Sequence, residues 1–529
     1  MFNSGHSDSF TRDNLPGMAD WPELLFDLPE LQYPERLNAA QELLEKAPKD
    51  NIAIRWAEGT WTYGELTEKA NKIAAALTNN LGLEPGNRVL LRGPNTPKMI
   101  AAWYGILLAG GVVVAAMPLL RAPELVPIIE KAEIDLALAD NAFMDEMKGA
   151  QKGTLRRIRT VGFGDPEAEL EALMATQSGI FTAVDTAQDD VALLAFTSGT
   201  TGNPKACMHF HRDVLAMADS YAKYILDPNE TDVFCGSPPI AFTFGLGAIV
   251  VFPARVGASV ALPPAPTPDA LLEAIEAQKV TMLFTAPTAY RALLDHTNDR
   301  DLSSLRCCVS AGETLPAATW HAWKEKTGLS LMDGIGATEI IHIFISAKAE
   351  DIRPGFTGKV VPGYQACLLD ESGTVLAPPA EGRLAVKGPT GCRYMADDRQ
   401  KNYVVNGWNV TGDTYRQDKK GYFEFVARSD DMIISSGYNI GGPEVEAALL
   451  THDAVSECAV IGVPDDARGQ IVKAFVVTRA DTTNALVKEL QDHVKATIAP
   501  YKYPREIVFI DELPKTQTGK LQRFKLRQA

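Results

Sequence analysis

Cysteine is scarce in this chain and shows no pairing pattern. The seven residues, Cys207, Cys235, Cys307, Cys308, Cys367, Cys392 and Cys458, are odd in number and contain no CxxC. That excludes a disulfide framework and a cysteine-based zinc site, and it suits a reducing compartment. Adjacent Cys307 and Cys308 read most simply as core. Positive charge is also short: 51 Lys and Arg stand against 67 Asp and Glu, a formal charge of −16. Such a surface repels phosphate polymers and anionic membranes, so neither nucleic acid nor a membrane is an expected partner. Any anionic ligand must be held locally. The segment Met1 to Gly17, MFNSGHSDSFTRDNLPG, has no apolar h-region, and a cytoplasmic enzyme is the expectation.

Long hydrophobic runs are nearly missing too. The exception, MIAAWYGILLAGGVVVAAMPLL from Met99 to Leu120, carries no charge and is long enough to span a bilayer. Gly110 and Gly111 divide it, however, into a stretch suited to a buried helix and a β-branched run, Val112 to Val114, suited to a buried strand before Pro118. No membrane insertion is expected. Internal repeats and low-complexity segments are absent as well. With 46% hydrophobic residues over a length of 529, the chain can bury a large core and exceeds one ordinary domain.

What is present is alternation. Short β-rich runs (RVLLR, LALAD, VALLAF, TMLFTA, LRCCVSA) alternate with helix-like stretches such as ELVPIIEKA and PDALLEAIEAQ, which predicts an α/β architecture with mostly parallel, buried strands. Near Gly421 the texture changes. GYFEFVARSDDMIISSGYNIGGPEVEAALL runs from strand-like residues through a charged turn into a Pro-initiated helix, placing a domain boundary at Arg428 to Asp431. After Asp430 there are 12 Lys and Arg against 13 Asp and Glu, so the negative charge belongs to the N-terminal part.

The stretch LLAFTSGTTGNPKACMHFH, Leu193 to His211, has the composition of an anion cradle. Gly199 and Gly202 permit tight turns with exposed N–H groups, the hydroxyls of Thr197, Ser198, Thr200 and Thr201 add donors, and Lys205 supplies a point charge. It is neither a Walker A loop nor a GxGxxG fingerprint. Composition alone does not separate a polyphosphate cradle from a flexible Gly/Ser/Thr loop.

Four further blocks follow in order: DGIGATE (Asp333 to Glu339), TGD (Thr411 to Asp413), RSDDMIISSGYNIGGPEVE (Arg428 to Glu446) and PKTQTGK (Pro514 to Lys520). With TSGTTGNPK, they resemble the signatures of the AMP-forming adenylating enzymes, the superfamily of acyl-CoA synthetases, peptide-synthetase adenylation domains and beetle luciferases. The resemblance implies an α/β, two-domain adenylate-forming fold: a large layered N-terminal domain (residues 1–428) holding the ATP and acyl sites, and a small mobile α+β C-terminal domain (residues 429–529). ATP, CoA and Mg²⁺ are the implied cofactors, and a homodimer is compatible with it.

Site roles follow by the same resemblance, and they suit the residue types. Glu339 offers the oxygen ligand that Mg²⁺ prefers, and Thr338 a hydroxyl for the α-phosphate. Gly312, Glu313, Asp333 and Gly334 fall at nucleotide-binding positions. Asp413, an acceptor-only carboxylate, can take both ribose hydroxyls, with Arg428 donating to the same sugar. Lys520 bridges substrate carboxylate and α-phosphate and stabilises the adenylation transition state. Asp430 is the implied hinge on which the C-terminal domain rotates between half-reactions, and Gly437 leaves room for the pantetheine arm. His211 matches a histidine common after the cradle; a structural role also suits it.

Within that superfamily, GIGATEIIHIFIS, SPPIAFTFGLG and RSDDMIISSGYNI resemble the benzoate-CoA ligase branch, 2-aminobenzoate-CoA ligases in particular. The acyl pocket implied is lined by Phe242, Thr243, Phe244, Ala311, Gly336, His342 and Ile343, a flat apolar slot with one imidazole and one hydroxyl. Phe242, Phe244 and Ile343 also suit plain core. Benzoate-type members carry a smaller residue at the position of Thr243 and Tyr at that of Phe244. This departure points toward an ortho-substituted acid, 2-aminobenzoate or 2-hydroxybenzoate, rather than benzoate. The alternatives are another small or aliphatic acid, a carrier-protein thiol in place of CoA, and a luciferase-like oxidoreductase.

Overall fold

A computed structural model describes residues 1–197, 204–297, 300–428, 431–435, 438–465, 468–498, 500–515 and 521–528. Its strands form four sheets. In the first, strands Arg159–Phe163, Leu136–Asp140, Arg88–Arg92, Val112–Ala116 and Val191–Thr197 lie parallel in that order, and Lys205–Phe210 closes the edge antiparallel to Val191–Thr197. Every residue of Arg88–Arg92 is buried, as expected of a parallel strand covered on both faces.

The cover on one side is a helix pair. Helix Tyr63–Asn79 starts at a capping box, Thr62 accepting from the Glu65 N–H while the Glu65 carboxylate accepts from the Thr62 N–H, and it packs on helix Pro97–Leu108. That second helix and strand Val112–Ala116 account for the uncharged run Met99 to Leu120. Gly110, at φ +74, makes the sharp turn between them. Among the described residues no helix is long and apolar enough to cross a membrane.

A nine-stranded sheet stands beside the first, in the order Lys359–Val360, Ile343–Ser346, Leu331–Gly336, Cys307–Ala311, Met282–Thr285, Val233–Gly236, Ser259–Ala261, Ile52–Trp56, Gly59–Thr62. Its strands from Leu331–Gly336 to Ile52–Trp56 are parallel, with antiparallel strands at the edges. One continuous core joins these two sheets. The third sheet is antiparallel, with strand Trp408–Gln417 between Ala380–Lys387 and both Val404–Val405 and Phe423–Arg428.

Strand Phe423–Arg428 is the last of the third sheet, and Ile433–Ser435 begins the fourth. This last sheet pairs Ile433–Ser435 with Tyr438–Ile440 and Gly469–Thr478, and Gly469–Thr478 with Val455–Asp465 and Glu506–Phe509. Helices Gly442–Leu449 and Asn484–Thr497 pack on it around a core of its own, which includes Ile433, Val445, Val460, Val472 and Leu490. The observed architecture is α/β, with strands on RVLLR, LALAD, VALLAF and the two later runs. One element differs from expectation: the single charged turn before the Pro-initiated helix holds a short hairpin, because IIS and YNI are each long enough to pair. Six of the seven cysteines are buried, Cys307 and Cys308 among them; Cys367 is half-buried, and all seven are free thiols.

Candidate active site

Lys205 opens the edge strand Lys205–Phe210, directly opposite Thr197 in register. The cradle residues between them, Ser198, Gly199, Thr200, Thr201 and Gly202, lie outside the described residues, as do Asp430, Gly437 and Lys520. Thr197 Oγ1 is enclosed, with no hydrogen-bond partner among the described residues. Lys205 donates to the Tyr394 hydroxyl at 2.8 Å and stands 3.6 Å from Glu339 Oε1. Tyr394 in turn donates to the Glu339 carboxylate. A cation, a phenol and a carboxylate are thus chained at the mouth of the cradle.

Glu339 sits in the short 3-10 turn Thr338–Ile340 that follows strand Leu331–Gly336. The turn ends at Ile341, a fully buried β-branched residue at φ +69 and ψ −36, a conformation that costs on the order of 1–3 kcal/mol and persists only where its surroundings enforce it. On the strand itself, Asp333 is paired in register with Ser310 and Gly334 with Ala311. Asp333 Oδ1 is enclosed and makes no well-formed hydrogen bond among the described residues, and burial, outweighing the Gly334 N–H and Thr357 hydroxyl near the carboxyl, pushes it up to about 7. At Gly334 a side chain would displace that of Ile343, and Gly336 has no room for one against backbone. A Cβ would stand 2.7 Å from Ile343 Cδ1 at the first and 2.8 Å from the His342 carbonyl at the second. Gly312, at φ +91, and the half-buried Glu313 follow Ala311.

Asp413 and Arg428 are cross-strand partners of the third sheet. Gly412, at φ +77 with Arg428 Nη2 close by, turns the chain so that the TGD carboxylate meets the guanidinium.

The proposed acyl residues gather between the nine-stranded sheet and the segment after Val233–Gly236. Phe242 precedes the short helix Thr243–Leu246; Thr243 is buried, and Phe242 and Phe244 are half-buried. His342 lies within an aromatic cage, its ring centroid 4.7 Å from Phe252, 5.3 Å from Tyr221 and 5.8 Å from Phe244. Among the described residues neither enclosed ring nitrogen makes a well-formed hydrogen bond; burial outweighs the nearby Phe244 main chain, which favours the protonated ring, and pushes the imidazole pKa down to about 3. Two π-helical turns, Ala218–Leu226 and Gly247–Val251, shape this region. A Cβ on Gly247 would come within 2.6 Å of His342 Nε2, so the absence of a side chain there makes space for the imidazole. Ile343 is buried core, paired with Gly336. His211 is structural: its Nδ1 accepts the Ala39 N–H at 3.1 Å, fastening helix Ala39–Leu44.

Tyr394 escapes sequence reasoning. GCRYMADD has no periodicity and no charge of its own at the tyrosine, and only the bridge that sets Tyr394 opposite Cys207 brings it to Lys205 and Glu339.

Comparison with known proteins gives this geometry a family. Residues 40–394 match the AMP-binding enzymes, and residues 444–520 match the AMP-binding enzyme C-terminal domain. The chain belongs to the AMP-binding enzyme family. It is 36% identical over 517 residues to a benzoate–CoA ligase of Thauera aromatica, covering 95% of this chain and 98% of that one. Two solved structures superpose on it: the anthranilate CoA ligase AuaEII in complex with anthranoyl-AMP, at TM-score 0.90 and 34% identity over 95% of this chain and 98% of that one, and a benzoate CoA ligase from Burkholderia xenovorans LB400, at TM-score 0.85 and 34% identity over 93% and 100%. The AMP-binding enzyme described here therefore has the two-domain adenylate-forming fold, a large N-terminal and a smaller C-terminal domain. It is an ATP-dependent, AMP-forming acid–thiol ligase, with ATP, CoA and Mg²⁺ as its cofactors.

Proposed function

We propose that this ligase activates an aryl carboxylate, 2-aminobenzoate or 2-hydroxybenzoate before benzoate, and transfers the aroyl group to CoA. The observation that carries the proposal is His342: an imidazole buried among aromatic rings, neither of whose nitrogens makes a well-formed hydrogen bond among the described residues. A planar ring stacks against such walls. A polar substituent on that ring satisfies an orphaned nitrogen, which benzoate leaves unpaired at a cost. Thr243 is the second side chain of the pocket able to make that bond.

In the first half-reaction a carboxylate oxygen attacks the α-phosphorus of ATP and the bond to pyrophosphate breaks. The Thr197 hydroxyl, Thr338, Lys205 and the residues of the cradle hold the phosphates; Asp413 and Arg428 clasp the ribose; Asp333 Oδ1 accepts from the adenine amino group, with Gly312, Glu313 and Gly334 shaping the wall beside it. Lys520 supplies positive charge at the α-phosphate. In the second half, the thiol of CoA attacks the acyl carbonyl, loses its proton, and AMP leaves with both electrons of the cleaved bond. Residues 1–428 and 429–529 act as two bodies that rotate about Asp430 between the halves, and Gly437 borders the thiol's path.

The residues present fit Mg²⁺. Among the described residues no cluster of three His, Cys, Asp or Glu forms a protein cage, and Mg²⁺ characteristically takes one or two carboxylates plus substrate phosphates. Glu339, one oxygen held by Tyr394, would provide the carboxylate, and the ion would neutralise phosphate charge. The cytoplasm is the proposed location.

The deciding experiment is pyrophosphate release against benzoate, 2-aminobenzoate, 2-hydroxybenzoate, phenylacetate, cinnamate and fatty acids, with and without CoA. Ortho-substituted benzoates are expected first and medium-chain fatty acids last, and Thr243→Ala should narrow the gap between ortho-substituted and plain benzoate. An aliphatic best substrate would overturn the assignment.

A further inference from the structure

The turn that presents Thr338 and Glu339 is held from behind by three side chains, one on each successive carbonyl. His209 Nε2 lies 2.7 Å from the Thr338 carbonyl oxygen, Cys207 Sγ 3.9 Å from that of Glu339, and Thr390 Oγ1 donates to that of Ile340 at 2.7 Å. A carbonyl only accepts, so His209 Nε2 carries the hydrogen. Lys205, Cys207 and His209 alternate along one strand and so share a face. Lys205 meets the Glu339 side chain, Cys207 the Glu339 carbonyl and His209 that of Thr338.

The clamp is itself anchored. His209 Nδ1 stands 3.8 Å from Asp213 Oδ2, a charge contact rather than a hydrogen bond, and Arg393 donates to Asp213 at 2.7 Å in a wholly buried ion pair. Tyr364 fixes Thr390, hydroxyl to hydroxyl, at 3.0 Å. A buried, anchored set of this kind is what Ile341 needs. Its left-handed backbone would relax toward an ordinary conformation if the preceding carbonyls were released, and the Glu339 carboxylate would move with them.

We propose that His209 is a positioning residue for adenylation, holding the Thr338–Ile340 turn, with Cys207 and Thr390, so that Glu339 faces the Mg²⁺-bound nucleotide. This rests on the reading of Glu339 as the Mg²⁺ carboxylate. His209 touches neither nucleotide nor metal; it acts through the Thr338 main chain.

The test is calorimetric binding of α,β-methylene ATP with and without Mg²⁺. The wild-type protein binds more tightly with Mg²⁺, and Glu339→Gln loses that gain. His209→Ala is expected to lose roughly 10–100-fold in the Mg²⁺ dependence, the usual effect of removing a residue that orients a metal ligand, with a smaller loss of Mg²⁺-free affinity through Thr338. His209→Gln, whose amide can still donate to the carbonyl, retains most of the gain. Thr390→Val shows a smaller loss in the same direction, and these two variants carry the test if His209→Ala does not fold. A normal Mg²⁺ gain in the His209 and Thr390 variants while Glu339→Gln loses it overturns the inference alone, as does an equal loss with and without Mg²⁺. A full Mg²⁺ gain in Glu339→Gln overturns the reading beneath it.

Discussion

Asp413 and Arg428 face each other across neighbouring strands, Oδ1 to Nη1 at 3.1 Å, with the carboxylate nearly buried and the guanidinium half exposed. An ion pair with one member so open adds little to stability; exposed pairs measure about 0.2–1 kcal/mol. Its geometry serves to hold the acceptor in place. Arg428→Ala should therefore leave the melting temperature nearly unchanged while weakening AMP binding by roughly tenfold, about 1.4 kcal/mol, and Asp413→Ala should weaken it further. Calorimetric titration with AMP and a thermal melt measure both. A fall in melting temperature with intact AMP affinity would make the pair structural.

On the proposed mechanism Lys520 serves adenylation and Gly437 the thiol's approach. Lys520→Ala should lose acyl-adenylate formation by orders of magnitude, as removal of a transition-state charge contact does, yet still convert supplied acyl-adenylate and CoA to thioester. Gly437→Trp should do the reverse. Pyrophosphate release and thioester formation, assayed separately, read the two; equal damage to both halves in either variant refutes rotation of the C-terminal domain.

Asp333 predicts a pH dependence. Its carboxyl is raised by burial to about 7 from an ordinary 3.8, so the folded protein holds more protons than the unfolded chain between those values. Stability accordingly falls as pH rises from about 4 to about 7. An adenine amino group donating to Oδ1 favours the carboxylate, so AMP affinity should rise through pH 7. Asp333→Asn should flatten both profiles. Parallel profiles for variant and wild type would remove Asp333 from the nucleotide site.

His342 predicts the opposite slope. Burial lowers its pKa to about 3, whereas the unfolded histidine titrates near 6.5. Below that value the unfolded chain gains a proton that the folded protein refuses, so stability drops as pH falls from about 6.5 toward 3. Denaturant titrations across that range should show a shallower fall for His342→Phe than for wild type. Identical slopes would mean that the imidazole is protonated in place.

Much of this could be read from the chain because the informative features are local. RVLLR and LRCCVSA are strands because continuous apolar β-rich runs suit a sheet covered on both faces, and Gly110-Gly111 breaks the uncharged run because only a glycine turn fits there. TSGTTGNPK and TGD are contiguous, so their order along the chain carries the family resemblance without the fold. Tyr394 and His209 were silent for the opposite reason. Each meets a partner more than fifty residues away, at Glu339 and Thr338; Tyr394 stands in a segment without pattern, and His209, though inside the cradle stretch, is not distinguished there by its residue type. The π-helical turns beside His342 were equally hidden, since an extra residue per turn leaves no mark on apolar periodicity over five to nine residues.

The burial of the thiols turns the protein into its own probe of opening. Cys458 is the single cysteine beyond Ile433, and it is buried at 9% exposure, while Cys207, Cys235, Cys307, Cys308 and Cys392 within the larger body are buried more deeply. A maleimide pulse followed by peptide mass spectrometry would label Cys367 early and the remaining sites only as their surroundings loosen. Modification at Cys458 ahead of the other buried five would time the melting of the C-terminal sheet separately from the rest, without introducing a label by mutation.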